Sequence, residues 1–212
     1  LPYADCLRLL APYLQQLIME SLGKAHNLEG AEVHQGLTVY GNKGATDQHA
    51  YVQQLREGPD DHFVTFVELL DVMPSAAADT LSALLAGTRS ALHEVGRRTM
   101  TLSFERFDDL HFGALIALFE RAVGFYASFI AINAYDQPGV EAGKRCAGAV
   151  LALQSRLMEA LDEGLGGSAA EIAKKLEADE ALVFHVLRRL AAVEAIASEG
   201  IGLERVFSKA RQ

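Results

Sequence analysis

The chain has 212 residues and a mass of 22.9 kDa, which fits one domain of ordinary size or one domain with a small appendage. Half of the residues are hydrophobic and 22% are charged, so disordered and fibrous proteins are excluded. The 19 basic and 28 acidic residues leave a net charge of −9, which argues against nucleic acid or an anionic membrane as a partner. Two cysteines, Cys6 and Cys146, cannot form a disulfide scaffold, so we expect a reducing, cytoplasmic compartment.

The start of the chain and its hydropathy bear on processing and on membranes. The sequence begins with Leu1-Pro2-Tyr3 rather than methionine and carries no signal-peptide pattern, so we expect a fragment or a processed product. The longest apolar stretch, 112–135, is interrupted by Glu120 and Arg121. Its uncharged remainder of about 14 residues is shorter than the roughly 20 that span a bilayer, so no membrane span is expected.

Predicted helices and strands alternate along the first three quarters of the chain. Periodic leucines predict a first helix over 7–20, and the apolar run 37–40 predicts a short strand. Thr46 or Asp47 caps a second predicted helix, which ends at Gly58. The remaining predicted elements, in chain order, are strand 63–69, helix 76–95, strand 100–104, helix 112–123, strand 125–132 and helix 140–162.

This alternation predicts an α/β fold with a parallel sheet covered by helices on both faces, which is a three-layer α-β-α sandwich. In such folds, binding sites gather beyond the carboxyl ends of the strands. Two predicted loops in that position, 41–49 and 133–139, are unusually polar.

A glycine-bearing stretch, 163–168, predicts a linker between a domain over 1–162 and a small extension over 168–212. In the extension, Ser168 is expected to cap one short helix and Asp179 or a near neighbour a second, before a weak hairpin. These elements outline a small helical, winged-helix-like tail.

The segment 133–144 has the strongest local pattern for a functional site. A predicted strand ends at Asp136-Gln137, Pro138 and Gly139 turn the chain, and Lys144 falls on the second turn of the next helix. A neutral hydrogen-bonding side chain, Gln137, and a cation, Lys144, can therefore face one cleft. The alternative is that Asp136 caps the helix and Lys144 is a solvated surface cation.

Two further side chains can carry acid–base chemistry. His49, in the first turn of a predicted helix, lies at the positive end of the helix dipole, which favours a neutral imidazole able to take and return a proton. Glu20, at the carboxyl end of the first helix, lies at the negative end, where the charge of a carboxylate is poorly stabilised. That position suits a general base, although a packed histidine and a surface glutamate remain the simpler interpretations.

Patterns for metals and common nucleotide or hydrolase sites are absent from the sequence. There is no Gly-x-Ser-x-Gly elbow, Walker A loop or Gly-x-Gly-x-x-Gly fingerprint. The histidines form no His-x-His or His-x-x-x-His pair and no cysteine lies at ligand spacing to them, so no metal and no cofactor is predicted.

Three segments together resemble one family. The run 130–144, Ile-Ala-Ile-Asn-Ala-Tyr-Asp-Gln-Pro-Gly-Val-Glu-Ala-Gly-Lys, closely resembles the carboxyl-terminal signature of the glucose-6-phosphate isomerases, or phosphoglucose isomerases. The run 41–51 is similar to a second block of the bacterial members, and Met19-Glu20-Ser21 to a third. The resemblance covers residues 1–160, and the tail after 163 is similar to an extension found in some bacterial members.

The resemblance implies a sugar-isomerase domain of flavodoxin-like type and an aldose–ketose isomerisation of a sugar phosphate through a cis-enediol, without a metal. Glu20 would move the proton between C2 and C1, and His49 would handle ring opening. Lys144 would assist ring opening and polarise substrate oxygens, and Gln137 would line the pocket. A carboxylate, an imidazole and a fixed cation suit this chemistry.

The family's phosphate-binding loop and a catalytic arginine come from a first sugar-isomerase domain, and neither has a counterpart here. Since the family's histidine reaches the pocket of the neighbouring subunit, a homodimer is also implied. We therefore expect the second domain of an isomerase, with little activity alone and with an amino-terminal sugar-isomerase domain as its partner. A dual phosphoglucose and phosphomannose isomerase remains open.

Two other functions fit parts of the sequence less well. The tail has helix-turn-helix character, which is typical of DNA-binding modules. From Ser168 onward, however, it contains seven basic and seven acidic residues, whereas a module that neutralises DNA phosphates should be basic. A non-catalytic sugar-phosphate sensor would need a phosphate cradle but would not need Glu20, His49 and Lys144 together. The presence of all three favours an enzyme.

Overall fold

The computed structural model describes residues 1–46 and 48–210. Two compact units follow one another along the chain, Leu1–Asp136 and Gln137–Gln212. The predicted domains, 1–162 and 168–212, stay a prediction. The compact units divide at an earlier residue because the long helix that begins at Pro138 packs with the helices that follow it.

The first unit mixes helices with short strands and opens with a 3-10 turn, Asp5–Leu7. Its elements, in chain order, are α1 (Leu10–Leu22), β1 (Lys24–His26), β2 (Glu32–Gln35), α2 (Gln48–Glu57), β3 (Val64–Leu69), α3 (Ala76–His93), β4 (Thr99–Phe104) and α4 (Asp109–Phe129). Strands β3 and β4 pair in parallel along all six residues of each, and Pro2 forms a parallel bridge to Val67 of β3. The predicted α/β class with a parallel sheet is therefore confirmed.

Strand β3 is buried because both of its sides meet apolar helices. Phe66 is fully buried in a cluster with Leu85 and Leu92 of α3. Val67, the next residue, packs in a separate cluster with Leu115 of α4. Successive side chains of a strand point to opposite faces, so this dense apolar run is packed on each side, as the sequence predicted.

Two predicted strands are wrong. Residues 37–40 form neither a strand nor a helix; Leu37 and Tyr40 are exposed, and the Tyr40 ring packs edge-on against Tyr51. Residues 125–132 lie mostly within α4, which runs without a break through Gly124 because Val123 and Ala127, one helical turn apart, pack around Leu22. An apolar run does not by itself distinguish a strand from a buried helix.

Helix α4 has the length and composition of a membrane span. It has 21 residues, of which an 18-residue stretch has a mean hydropathy of 1.3, and it is the one such helix among residues 1–46 and 48–210. Glu120 and Arg121, which interrupt the apolar stretch in the sequence, lie within this continuous helix. In the structure the Tyr13 hydroxyl of α1 donates a 3.1 Å hydrogen bond to Glu120 Oε1.

A β-hairpin that the sequence analysis missed follows α1. Strands β1 and β2 pair antiparallel across a turn in which Asn27 Oδ1 accepts hydrogen bonds from the backbone of Glu29 at 3.0 Å and of Ala31 at 2.8 Å. Gly30 adopts φ of +83° there, a conformation that few other residues accept. Asn27 and Gly30, three positions apart in a short polar stretch, were the residues from which this turn could have been predicted.

The second unit consists of helices and a small antiparallel sheet. Its elements are α5 (Pro138–Asp162), β5 (Gly167–Ser168), α6 (Ala169–Leu176), α7 (Glu180–Ala192), β6 (Ile196–Glu199) and β7 (Val206–Lys209). The sheet order is β5-β7-β6. Leu157, Ile172, Val183, Leu187 and Phe207 are almost completely buried in one shared core.

Both predicted helix caps in the second unit are observed. The Ser168 hydroxyl accepts a hydrogen bond from the Glu171 amide at 3.3 Å, and the Glu171 carboxylate accepts one from the Ser168 amide at 2.8 Å, which is a capping box. Asp179 caps α7 by accepting a hydrogen bond from the Leu182 amide at 2.8 Å. The predicted hairpin after α7 corresponds to β6 and β7.

Candidate active site

Glu20 lies in the last turn of α1 and is exposed. The helix forms here because apolar side chains recur along one side of it and pack in the first unit, Leu10 among those around β3 and Leu22 among those around α4. It ends at Gly23, whose amide donates a hydrogen bond to Met19 O at 3.0 Å. The predicted position of Glu20, at the carboxyl end of an amphipathic helix, is therefore observed.

The end of α1 also holds a cation that the sequence analysis missed. Lys24 Nζ donates hydrogen bonds to the carbonyl oxygens of Glu20 at 3.1 Å and of Ser21 at 2.8 Å, and it lies 3.9 Å from Asp136 Oδ1. The Lys24 side chain is only 4% exposed. A lysine after a helix-ending glycine is usually solvated, so the sequence carried no signal for this arrangement. Its charge offsets the negative end of the helix dipole.

The loop before His49 is attached to the start of the chain. The Gly44 amide donates a hydrogen bond to Pro2 O at 2.7 Å, and Lys43 forms an ion pair with Asp5. This ion pair, chiefly the hydrogen bond from the Lys43 ammonium, lowers the pKa of the Asp5 carboxyl. Because the amino-terminal segment itself pairs with β3, the loop is held against the sheet.

His49 is the second residue of α2 and is exposed. Its place in the first turn of a helix agrees with the sequence prediction. Of the two predicted capping residues, Thr46 lies in a turn, whereas Asp47 lies outside the described residues. Among the described residues of the first unit, His49 and Glu20 share no hydrogen bond.

Gln137 and Lys144 belong to the second unit, at the start of α5. Gln137 is the residue before the helix and makes no side-chain capping bond. Pro138 occupies the first helical position, where a backbone N–H would have no partner within the helix, so its absence in proline loses no hydrogen bond. Lys144 lies on the second turn as predicted, and its ammonium is 2.8 Å from Glu141 Oε1 in an exposed pair. The alternative in which Asp136 caps the helix is wrong, because Asp136 instead lies near Lys24.

The predicted site residues are thus divided between the two units. Glu20 and His49 belong to the first unit, and Gln137 and Lys144 belong to the second. All four are exposed and can reach a ligand. They provide a carboxylate, an imidazole, an amide and an ammonium.

A groove runs beside the end of α1 within the first unit. It has a volume of about 650 Å³ and is lined by α1, α4 and the segment after α4. Ser21, the residue after Glu20, lines it together with Glu120 and Arg121, whereas most of its other lining residues are apolar or small. Over residues 1–46 and 48–210, no three His, Cys, Asp or Glu side chains are grouped to hold a metal ion.

The polar loops 41–49 and 133–139 do not follow strands, contrary to the sequence argument. The first follows the irregular stretch 37–40, and the second follows α4. Neither segment therefore lies at the carboxyl end of a parallel strand, and their role in a binding site stays a prediction. Both segments are positioned by helix ends and by backbone hydrogen bonds instead.

Comparison with known proteins places these segments in a family context. The phosphoglucose isomerase family model matches residues 1–88 and 88–163. The chain is 52% identical over 200 residues to a glucose-6-phosphate isomerase of Prochlorococcus marinus and 54% identical over 203 residues to one of Synechococcus elongatus. Each match covers 91% of this chain but only 36% and 38% of the respective relative.

Solved structures agree with the sequence matches. A glucose-6-phosphate isomerase from Chlamydia trachomatis superposes with a TM-score of 0.65 at 26% identity, covering 73% of this chain and 34% of that one. A hypothetical protein from Thermus thermophilus superposes with a TM-score of 0.61 at 32% identity, covering 71% of this chain and 40% of that one. The chain therefore spans between one third and two fifths of the length of the relatives it matches.

Proposed function

Because the chain belongs to the phosphoglucose isomerase family, we propose that it is the carboxyl-terminal part of an enzyme that interconverts glucose 6-phosphate and fructose 6-phosphate. The observation that carries this proposal is the identity of 52–54% over about 200 residues with glucose-6-phosphate isomerases. The reaction moves one proton between C2 and C1 through a cis-enediol. It is a step of glycolysis and gluconeogenesis, and we place it in the cytoplasm.

Glu20 is proposed as the base that carries this proton. Its carboxylate takes the proton from C2 of the aldose, and the electrons of that bond form the C1–C2 double bond while the C1 carbonyl oxygen takes up a proton. The same carboxyl then returns its proton to C1 as the C2 hydroxyl loses a proton and becomes the ketone. The exposure of Glu20 at a helix end supports this role, since a general base needs hydrogen-bond reach to the carbon acid.

His49, Lys144 and Gln137 are proposed to act around this transfer. His49 donates a proton to the ring oxygen as the hemiacetal opens and the anomeric hydroxyl releases its proton to water, and Lys144 stabilises negative charge that develops on substrate oxygens. Gln137 hydrogen-bonds the substrate. The exposure of all three side chains and the lack of a capping role for Gln137 support these assignments.

The remaining parts of the site are proposed to come from elsewhere in the longer protein. A first sugar-isomerase domain would supply the phosphate-binding loop and an arginine, and a second subunit would complete a homodimer. Exposed apolar side chains of α4 support a covered surface in the whole protein: Leu110, Phe125 and Phe129 are all largely exposed, Phe129 to 87%. Apolar patches of this kind mark contact surfaces.

The finer description of the fold is part of the same proposal. We propose that the first unit belongs to a three-layer sugar-isomerase sandwich and that the end of the second unit is a winged-helix-like packing extension. Helices on both sides of β3 support the first statement. The capped helices α6 and α7 followed by the β5-β7-β6 sheet support the second.

The test is a coupled assay of fructose 6-phosphate conversion to glucose 6-phosphate by the full-length protein. We expect robust turnover in the natural protein and a fall of several orders of magnitude in Glu20→Gln, which keeps the shape of the side chain but removes the base. The matched control is Glu29→Gln, on the exposed hairpin turn of the same unit, which should remain fully active. An inactive natural protein would favour a sugar-phosphate sensor instead.

A further inference from the structure

We propose that Lys24 is a positioning residue for the base Glu20, an inference that rests on the proposed function. Its ammonium is directed at the carbonyl oxygens of the last turn of α1, which carries Glu20. Lys24 therefore does not act on the substrate. It holds the backbone from which the Glu20 carboxylate extends.

Lys24 is buried, and its ammonium is held by defined hydrogen-bond acceptors. Among the residues that the structure describes, it is the one charged residue that is buried. A buried ammonium is costly unless hydrogen bonds and opposite charge compensate for lost hydration. The compensation comes from Glu20 O, Ser21 O and the Asp136 carboxylate.

The geometry of the helix end explains how this cation acts on Glu20. The last carbonyl groups of an α-helix have no partner within the helix and allow the final turn to fray. Here the Gly23 amide bonds Met19 O, and Lys24 bonds the next two carbonyls, those of Glu20 and Ser21. The three consecutive carbonyls that flank and include Glu20 are therefore fixed.

Gly23 allows the chain to fold back so that Lys24 reaches the turn before it. A β-carbon on Gly23 would stand 2.8 Å from Met19 O, a backbone atom that cannot move without opening the turn. The sequence Glu20-Ser21-Leu22-Gly23-Lys24 thus contains both the base and the groups that fix its backbone. A displacement of about 1 Å at a reacting group can cost about a hundredfold in rate.

Asp136 extends the same arrangement. Its carboxylate lies 3.9 Å from Lys24 Nζ, and Asp136 is the residue directly before Gln137. One buried cation therefore connects the end of α1 with the last residue of the first unit. The negative charge of Asp136 partly compensates the buried positive charge of Lys24. A neutral amide side chain at position 24 would form no such ion pair.

The experiment compares Lys24→Met, Lys24→Arg and Lys24→Gln in the full-length protein by steady-state kinetics and thermal unfolding. We expect Lys24→Met to lower kcat about 10- to 100-fold while KM stays within about threefold, because a displaced base affects the transition state rather than substrate binding. Lys24→Arg, which keeps charge and donors, should recover most of the loss. The control is Lys209→Met, which removes an exposed ion pair with Asp162 and should leave kcat unchanged.

A double-mutant cycle with Glu20→Asp separates positioning from a merely structural role. Glu20→Asp already displaces the carboxylate, so adding Lys24→Met should cost clearly less than it does in the natural background. Additive losses, or a natural kcat in folded Lys24→Met, would overturn the inference while leaving the proposed function intact.

Two further outcomes are also decisive. If the natural full-length protein is inactive, the proposed function fails first and the inference fails with it. If Lys24→Met does not fold, Lys24→Arg and Lys24→Gln carry the test: kcat should follow the order lysine, arginine, glutamine at similar KM. Equal kcat in these variants would contradict a positioning role.

Discussion

A β-carbon on Gly44 would overlap Cδ2 and Cε2 of Tyr3, so the loop before His49 is packed directly against an aromatic ring. Tyr3 is 4% exposed and its hydroxyl donates a hydrogen bond to Thr88 Oγ1 at 3.2 Å. The ring cannot retreat without breaking that contact and disturbing the core around Phe66.

We therefore expect Gly44→Ala to destabilise the protein by about 1–3 kcal/mol, the usual cost of overpacking. It should also lower kcat, because the displaced loop leads into the helix that carries His49. The matched control is Gly87→Ala in α3, where an added β-carbon meets nothing within 4 Å. Gly87→Ala should be neutral or stabilising by up to about 1 kcal/mol. Urea unfolding of both variants gives the comparison, and equal stability would contradict the packing argument.

The role of His49 can be separated from proton transfer by the choice of substrate. His49→Asn should slow isomerisation of hexose 6-phosphates about 100-fold or more, since it removes the acid that opens the ring. A tetrose 4-phosphate cannot close a ring because its C4 oxygen carries the phosphoryl group. The rate of solvent deuterium exchange at its C2, measured on the substrate by NMR with the full-length protein, should therefore change less than about threefold in His49→Asn.

The control for this experiment is His26→Asn, which alters an exposed histidine on β1 of the same unit. It should leave both rates unchanged. A loss of similar size on the tetrose and hexose substrates would assign His49 to proton transfer or binding instead of ring opening.

The 212-residue chain alone is expected to have little or no isomerase activity. The phosphate-binding loop and the arginine of the site are proposed to belong to another part of the longer protein. Coupled assays should therefore detect turnover only when the amino-terminal part is present on the same chain or is co-expressed. Turnover by the isolated chain comparable to that of an intact isomerase would refute the proposed division of the site.

The capping box at the start of α6 predicts a pH-dependent contribution to stability. Hydrogen bonds from the Ser168 amide and hydroxyl to the Glu171 carboxylate lower the pKa of that carboxyl. Since the pKa is lower in the folded state, this stabilisation is fully present above the usual glutamate value of about 4.3. It is lost as the pH falls below that value and through the lowered folded pKa.

Ser168→Ala removes the capping hydroxyl and should destabilise the chain by about 1 kcal/mol at neutral pH, a fall in Tm of about 2–4 °C. The difference from the natural chain should shrink in acid, as Glu171 becomes protonated. Thermal unfolding followed by circular dichroism at pH 7 and below pH 4 measures both values. Ser155→Ala, on the exposed side of α5, is the control. A difference that does not change with pH would contradict the role of Glu171.

Local patterns predicted most helices and the central strands because each depends on neighbours in sequence. The caps at Ser168 and Asp179 need only a side chain and an amide three residues later. Strand β3 was recognisable because an apolar, β-branched run is stable only where both faces are covered. The exposed end position of Glu20 followed from the leucine period and Gly23 alone.

The errors arose where a run of residues had two possible structures and a distant contact chose between them. Residues 125–129 could form a strand, but the packing of Val123 and Ala127 around Leu22 keeps them in α4. Residues 37–40 lack a neighbouring strand, so the same β propensity yields no ladder.

The sequence by itself determined the α/β class, the family and the four candidate site residues, because periodicity, caps and linear motifs depend on residues that are close together in the sequence. Only the tertiary structure decided which polar group is buried beside the proposed base. From the sequence, Lys24 is expected to be a surface cation. In the structure, the turn at Gly23 brings its ammonium to Glu20 O and Ser21 O. Burial is set by everything that packs around a residue, including Asp136, which is more than a hundred positions away in the sequence.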